Sequence, residues 1–399
     1  MTTAPFDITP RTRVIFGNGT LVRLGEFATE LGGRRALLVT DRGIVAAGHV
    51  ERARESLVKA GLAVTVFDRV RENPTTADIA QCLAVARDAN INVIVGLGGG
   101  SSMDTAKGTN FLLTNGGQMR DYWGVGKAPR PMLPLIAVPT TAGTGSECQS
   151  AALIADEVTH QKMACLDPKA AAKIAVLDPE LTVSQPARVT AVTGTDAIAH
   201  AVETTVTTKR NAVSLMYSHE AFKRLVHAFP QVLVDPSDLE ARGQMLLGAA
   251  FGGTAIEHSM LGAAHACANP LTAHFDIVHG AAVGLMLPHV VRFNAARDEA
   301  TKRAYAELAS APEIACVSDG LDAAVDALVA RIESLLNRAG IPRSLPEAGG
   351  NANLIGELAA EAAKQWTSNF NPRPASVDDF AALYRSACES RGSGDGSSG

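Results

Sequence analysis

Six short runs of Val, Ile and Leu, "TRVIFG", "RALLVTD", "LAVTVFD", "INVIVGLGGG", "PLIAVPTT" and "KIAVLDP", punctuate the first half of the chain, with stretches of helical spacing between them. Apolar runs of this kind are strands buried on both faces, and strands that alternate with helices fold as a mostly parallel sheet covered on each side. The first half therefore reads as α/β. After about Pro186 the pattern changes. "SLMYSHEAFKRLVHAF", "ARGQMLLGAAFGGTAIEHSMLGAAHACA" and "GLDAAVDALVARIESLLNRAG" carry helical periodicity and few β-branched runs, so the second half reads as all-helical. With "LTVSQPARV" as the boundary, the expected organisation is an α/β domain over 1–185, a helical domain over 186–389 and a Gly/Ser-rich disordered tail over 390–399, with no internal repeat.

A chain of 399 residues suits two domains of roughly 100–200 residues each. The net charge of −5 and a pI near 6.1 provide no basic field, and Lys and Arg are scattered without interleaved aromatics. A nucleic-acid partner is not expected. No apolar run reaches the roughly 18 residues of a membrane span, and the start lacks the basic-then-apolar form of a signal peptide, so neither membrane insertion nor export is expected. Six widely spaced Cys (82, 148, 165, 267, 316 and 388) include no CxxC pair, which argues against a disulfide framework or a zinc ribbon and for a reducing cytoplasm.

"INVIVGLGGGSSMDTAKG" is an apolar strand, then Gly96, Gly98, Gly99 and Gly100, then Ser101 and Ser102 opening a helix. Glycines allow close backbone approach to a pyrophosphate, and a helix N-terminus offers free N–H groups and partial positive charge. A tight strand-to-helix turn would use the same residues. The glycines follow at least the third strand rather than the first, so this is not the usual dinucleotide fingerprint. Asp41, ending "RALLVTD", is either a helix cap or the acid that hydrogen-bonds a ribose and disfavours a 2′-phosphate. "PTTAGTGSE" places Thr140, Thr141 and Thr144 directly after a strand, where open α/β sheets bind ligands; a plain loop is the alternative.

In "GTDAIAHAVE", Asp196 and His200 stand four apart, on one face of an otherwise small and apolar helix. A buried carboxylate is costly unless it is paired or holds a metal. His265 and His279 lie fourteen apart in "AAHACANPLTAHFDIVHGAAVG", with Asn-Pro and His-Gly breaks between and after them. One carboxylate and three imidazoles suit Fe²⁺, Mn²⁺, Co²⁺ or Zn²⁺ without choosing among them.

Together the glycine loop, "PTTAGTGSE", "VLDPELT" running into "GTDAIAHAVE", and the paired histidines resemble the iron-dependent group III alcohol dehydrogenases, from about residue 12 to about 385. The resemblance implies an N-terminal dinucleotide-binding domain with a mostly parallel sheet and an all-helical C-terminal domain, the dehydroquinate synthase-like architecture. It implies Asp196, His200, His265 and His279 as metal ligands, with Gly98, Gly99, Gly100 and Ser101 as the pyrophosphate loop. Thr140, Thr141 and Thr144 become further nucleotide contacts, Lys162 a neighbour of the nicotinamide ribose, Leu181 a residue packed on the cofactor, and Asp41 the acid associated with NAD preference. A homo-oligomer, a dimer or larger, is implied as well.

One position departs from the family. Many members carry a further His four residues after the third ligand, near the substrate and a proton path, where this chain has Asn269, a side chain that does not titrate near neutral pH. His274 and His258 are the nearby substitutes. The expected reaction is reversible hydride transfer between NAD(H) and a small alcohol/aldehyde pair, the metal polarising the substrate oxygen as a Lewis acid, with His265, His279 and Asn269 as the catalytic candidates. The rivals are a zinc-dependent glycerol or polyol dehydrogenase, a lyase on the same scaffold using NAD transiently, and a catalytically silent nucleotide-binding protein.

Overall fold

The computed structural model describes residues 5–389 other than His160, so the expected tail over 390–399 lies outside the described residues. Its strands are β1 (Arg13–Phe16), β2 (Arg35–Val39), β3 (Ala63–Phe67), β4 (Val93–Gly98), β5 (Gly124–Val125), β6 (Leu135–Pro139), β7 (Ala151–Ala155), β8 (Lys162–Leu166) and β9 (Ile174–Leu177). Six of them form one sheet in the order β1-β9-β6-β4-β2-β3 with every neighbouring pair parallel. These six are the six apolar runs. Helices α1 (Leu24–Glu30), α2 (Arg42–Ala46), α3 (His49–Lys59), α4 (Thr76–Asp88) and α5 (Gly100–Asn115) connect them.

Alternation along each strand divides the core between the two faces of the sheet. Leu38, Val95, Leu97, Ile136, Val138 and Val176 pack with Leu24 and Phe27 of α1 and Leu57 of α3. Leu37, Val39, Ile94 and Ala137 pack with Cys82 and Ala86 of α4 and Met103 and Ala106 of α5. A second sheet, in the order β5-β8-β7 with β7 and β8 antiparallel, was not expected from the sequence. Its strands are short and Ala-rich or begin with Lys, and they lack the Val/Ile run that marks the main sheet.

The second half is helical: α6 (Ala187–Val206), α7 (Ala212–Val234), α8 (Leu239–Ser259), α9 (Ala263–Phe275), α10 (His279–Ala295), α11 (Glu299–Ser310), α12 (Leu321–Arg338), α13 (Ile355–Ala362) and α14 (Val377–Cys388). By compactness the described chain forms two units, one of Asp7–Gln185 with Ser237–Gly253, the other containing Pro186–Pro236 and the residues from Thr254 onward. Among the described residues no helix is long and apolar enough to cross a membrane.

Asn269-Pro270 is not a helix break. Pro270 lies inside α9, where it removes one backbone donor, and the helix runs five residues further to Phe275, capped by Asp276 in the left-handed conformation. Ala263, Ala264, Ala266, Cys267, Ala268 and Leu271 are buried around the proline, and this packing outweighs one missing hydrogen bond. The second break is the reverse of what its dipeptide suggests: His279-Gly280 opens α10.

Gly280 sets how closely α10 approaches α6. A Cβ there would lie 2.0 Å from the Val192 carbonyl oxygen and 3.4 Å from the Asp196 Cβ. Such overlap cannot be relieved by rotating a side chain, because the obstacle is backbone. Gly280→Ala should therefore cost about 1–3 kcal/mol, read by calorimetry as a transition lowered by several degrees, and an unchanged transition would show that the two helices separate freely.

Candidate metal and dinucleotide sites

Helix α6 is buried along almost all of its last seventeen residues. Within that stretch Asp196 (5% exposed), His200 (4%) and Glu203 (3%) follow one another at spacings of four and three, so they share a helix face. Two carboxylates in so dry a position demand partners. They are supplied by α9 and α10. His265 Nε2 stands 3.3 Å, His200 Nε2 3.4 Å and His279 Nε2 3.9 Å from the same oxygen, Asp196 Oδ1. Ligand atoms of Asp196, His265 and His279 all lie within 4.8 Å of one another, and the ring of His200 stacks on that of His265 with centroids 5.0 Å apart.

The hydrogen bonding fits a cation. Asp196 Oδ1 and His265 Nε2 are buried, 3.3 Å apart, and neither has a hydrogen-bond partner. A divalent ion accepted by both, with mixed N and O donors, is the group that satisfies them together. Burial alone would raise the Asp196 pKa, but the charge of His200 and the His265 and His279 imidazoles close beside it hold it well below the usual carboxylate range. Burial would lower that of His265; the Glu203 charge, the Nδ1 hydrogen bond to Glu203 and the Asp196 carboxylate beside it overcome this and raise it to about 9.

Glu203 is the residue the sequence reading passed over. Its Oε2 is hydrogen-bonded by His265 Nδ1, and its Oε1 accepts from the Ala264 backbone N–H at 2.7 Å, in the first turn of α9. A carboxylate on Nδ1 fixes the tautomer that leaves Nε2 free as a ligand. The signal was present: Glu203 closes "GTDAIAHAVE", seven residues after Asp196, which is two helical turns along the same face. Asn371 supports the same turn, its Oδ1 accepting from Ala263 N–H at 3.2 Å.

The remaining candidates of this unit lie elsewhere. His274 Nε2 pairs with Glu361 Oε1 at 3.0 Å and groups with Glu357 and Glu361, apart from the first cluster. His258 sits near the end of α8, where its carbonyl accepts from Asn211 Nδ2. Asn269 lies one turn beyond His265 on α9 and donates from Nδ2 to Gln365 Oε1 at 3.0 Å.

In the other unit, β2 is followed by a strand on one side of it and β4 by a strand on the other, so the chain reverses its winding between β2 and β4. Ligands bind open α/β sheets beyond the carboxyl ends of the strands that flank such a reversal. Asp41 follows β2, and Gly98, Gly99 and Gly100 end β4 and open α5. Asp41 caps α2 by accepting from Ile44 N–H at 3.1 Å, and its Oδ2 is 3.5 Å from where a Cβ on Gly98 would sit. Cap and ribose acid are thus compatible roles.

The loop is crowded enough to require glycine. A Cβ on Gly98, at φ +148°, would lie 2.4 Å from Ser102 Oγ, and one on Gly100 would lie 2.8 Å from Thr144 Cγ2. Thr141 Oγ1 stands 3.5 Å from the corresponding point on Gly99, and Thr140 is buried, its N–H donating to the Gly98 carbonyl at 3.0 Å. Ser101 lies in the first turn of α5, which has neither a side-chain cap nor an acidic residue; the Ser102 and Met103 N–H groups donate to the Gly99 carbonyl, and the helix dipole is left uncompensated for an anion. Beneath it the fully buried Lys107 donates from Nζ to Ser146 O (2.6 Å), Ser146 Oγ (2.9 Å) and Ala151 O (3.0 Å). Burial, eased by a backbone hydrogen bond and the Lys107 charge, raises the neighbouring Glu147 to about 7.

Two nucleotide candidates are not part of this group. Leu181 is fully buried in the core beneath the sheet, with Leu21 and Val176, so its contribution there is packing. Lys162 is exposed at the start of β8, where its charge reaches Asp104 of α5.

Removing the Glu203 charge while keeping its shape tests the support of His265. Glu203→Gln should weaken divalent-metal affinity by about 10–100-fold, the usual effect of losing a ligand's carboxylate partner, with the helical circular dichroism unchanged; calorimetric titration at wild-type affinity would remove Glu203 from that role. In the wild-type protein a metal ion competes with a proton for His265, so the same titration should show affinity rising with pH up to about 9 and levelling above it.

Comparison with known proteins finds relatives across both halves of the chain. Residues 10–179 match the family model described as iron-containing alcohol dehydrogenase, and residues 190–388 match the Fe-containing alcohol dehydrogenase family, C-terminal. The chain is 31% identical to the NAD-dependent methanol dehydrogenase of Bacillus methanolicus over 94% of its own length and 97% of that protein. It is 34% identical to the 1,3-propanediol dehydrogenase of Klebsiella pneumoniae, covering 93% and 96% of the two. A crystal structure of 1,3-propanediol oxidoreductase superposes with a TM-score of 0.92 at 32% identity, over 96% of this chain and all of that one. The parallel sheet with its glycine loop, the helical half with its carboxylate and imidazoles, and these matches across both halves place the chain in the iron-containing alcohol dehydrogenase family, as an NAD-dependent oxidoreductase.

Proposed function

We propose that this protein interconverts a short aldehyde and its alcohol, with Asp196, His200, His265 and His279 holding Fe²⁺ and with NAD(H) bound at the glycine loop. The observation that carries the reading is the approach of three imidazole Nε2 atoms to the single buried oxygen Asp196 Oδ1. Zn²⁺ or another first-row divalent ion suits the same donors. When bound, the metal supplies Lewis-acid polarisation of the substrate oxygen and the nicotinamide supplies the hydride.

The chain's own residues do the rest. Gly98, Gly99, Gly100 and Ser101 turn backbone N–H groups toward the pyrophosphate, with Thr140, Thr141 and Thr144 lining the neighbouring strand end. Asp41 accepts from a ribose hydroxyl and repels a 2′-phosphate, which favours NAD over NADP. Asn269 holds the place where many members of the family carry a His, so a side chain that does not titrate near neutral pH stands there.

We read the protein as cytoplasmic and homo-oligomeric, at least a dimer. Six cysteines with no disulfide among the described residues support a reducing compartment. An edge strand, β1, with half-exposed Val14 and Phe16, supports pairing with a second copy.

The decisive assay follows NADH oxidation with short aldehydes by metal-stripped protein, with and without anaerobic Fe²⁺, and repeats each sample with NADPH. Turnover is expected only after Fe²⁺ is restored and is expected to favour NADH. His279→Ala should lower both bound metal and turnover, the latter on the order of a hundredfold or more, as loss of several kcal/mol of charge stabilisation implies. Turnover indifferent to stripping would overturn the metal reading.

A further inference from the structure

Helix α9 carries His265 in its first turn, yet the residue that should cap that turn is Gly262, which has no side chain to do it. The N–H groups at a helix start have no partner within the helix and need an acceptor from elsewhere. Two side chains supply one. Glu203 Oε1 takes the Ala264 N–H at 2.7 Å, and Asn371 Oδ1 takes the Ala263 N–H at 3.2 Å. A Cβ on Gly262 would stand 3.0 Å from Asn371 Oδ1 and 3.1 Å from Glu203 Oε1, so the glycine makes room for both oxygens.

Asn371 follows the 3₁₀ turn Trp366–Phe370 and is buried. Its amide has one allowed orientation. Nδ2 donates to Asn294 Oδ1 at 2.7 Å and to the Arg373 carbonyl at 2.6 Å, while Oδ1 accepts a second bond from Asn294 Nδ2 at 3.1 Å. Both donors and both lone pairs are used, and reversing the amide would set donor against donor on one side and acceptor against acceptor on the other. Asn294, in the last turn of α10 and also buried, is held in turn by a bond from Nδ2 to the Tyr305 hydroxyl of α11 at 3.2 Å. Arg373 Nη1 donates to the neighbouring Phe293 carbonyl at 3.1 Å. The segment is thus fastened to α10 and presents one oxygen, in a fixed direction, to the start of α9.

The two acceptors do different things. Glu203 holds the His265 ring through Nδ1 and the backbone through Ala264, and two points leave the first turn of α9 free to swing about the line between them. Asn371 is a third point, off that line. We infer that Asn371, oriented by Asn294, is a positioning residue for the metal centre: it sets the direction in which His265 Nε2 faces Asp196. The inference rests on the metal reading above.

The test titrates metal-free protein with Co²⁺, whose visible absorption band reports the geometry of its ligands, in wild type, Asn371→Ala, Asn294→Ala and the control Asn211→Ala. Asn211 caps α7, which carries none of the candidate ligands. Asn371→Ala is expected to weaken Co²⁺ binding by about tenfold or more, the scale of losing an outer partner of a ligand, and to shift the band at saturating metal. Asn294→Ala leaves the acceptor in place but removes what orients it, so the band should shift in the same direction with a smaller loss of affinity. Asn211→Ala should lower the melting temperature of the metal-free protein by several degrees and leave affinity and band as in wild type. If both test variants behave like this control, with affinity within about twofold of wild type and an unchanged band, Asn371 contributes packing alone and the inference is overturned, while wild-type binding still supports the metal site. If Asn371→Ala does not fold, the band of Asn294→Ala decides by the same criterion. Wild type that binds no Co²⁺ overturns the metal reading and this inference with it.

Discussion

The helical half of the molecule is organised around the cost of a buried negative charge. Asp196 sits inside an Ala-rich helix at 5% exposure, and Glu203, two turns on, at 3%. Neither could persist there alone. Much of the surrounding architecture answers that demand: α9 brings His265 between the two carboxylates, α10 begins at the residue that completes the group, and Gly280 lets α10 come close enough to α6 for it to do so. The imidazoles in turn need the carboxylates, because Glu203 fixes the His265 ring and caps the helix that carries it.

Much of this was legible in the sequence, and the parts that were not have particular physical reasons. The six Val/Ile runs identify the strands of the main sheet because burial on both faces leaves no polar alternation to confuse them. The strands "AALIA" and "KMACL" escaped because Ala carries little strand preference and their sheet has only three members. Pro270 read as a break because the local cost of a proline is visible in sequence and the compensating burial of its neighbours is not. Asp196 and His200 were found by their spacing of four. Glu203 was missed because its role appears only when a residue 62 positions away is brought against it.

The dinucleotide unit shows the same dependence on context. A glycine run after a strand is ambiguous by itself, since turns and phosphate loops share it. What distinguishes them is the strand order, which puts the run and Asp41 at the reversal of winding, and strand order is a property of the folded sheet. Leu181 and Lys162 illustrate the converse, one drawn into the core and the other exposed on the small sheet.

The buried Lys107 has a consequence for the thermodynamics of cofactor capture. Its hydrogen bonds to Ser146 and Ala151 tie the segment from Ser146 to Ala151 onto α5, the helix whose first turn we propose meets the pyrophosphate. A loop held in this way has already lost its conformational freedom before any nucleotide arrives, so the entropy of ordering it is charged to folding rather than to association. Nucleotide affinity can then follow the quality of the contacts themselves, and exchange of oxidised for reduced cofactor between turnovers need not wait for that segment to fold and unfold.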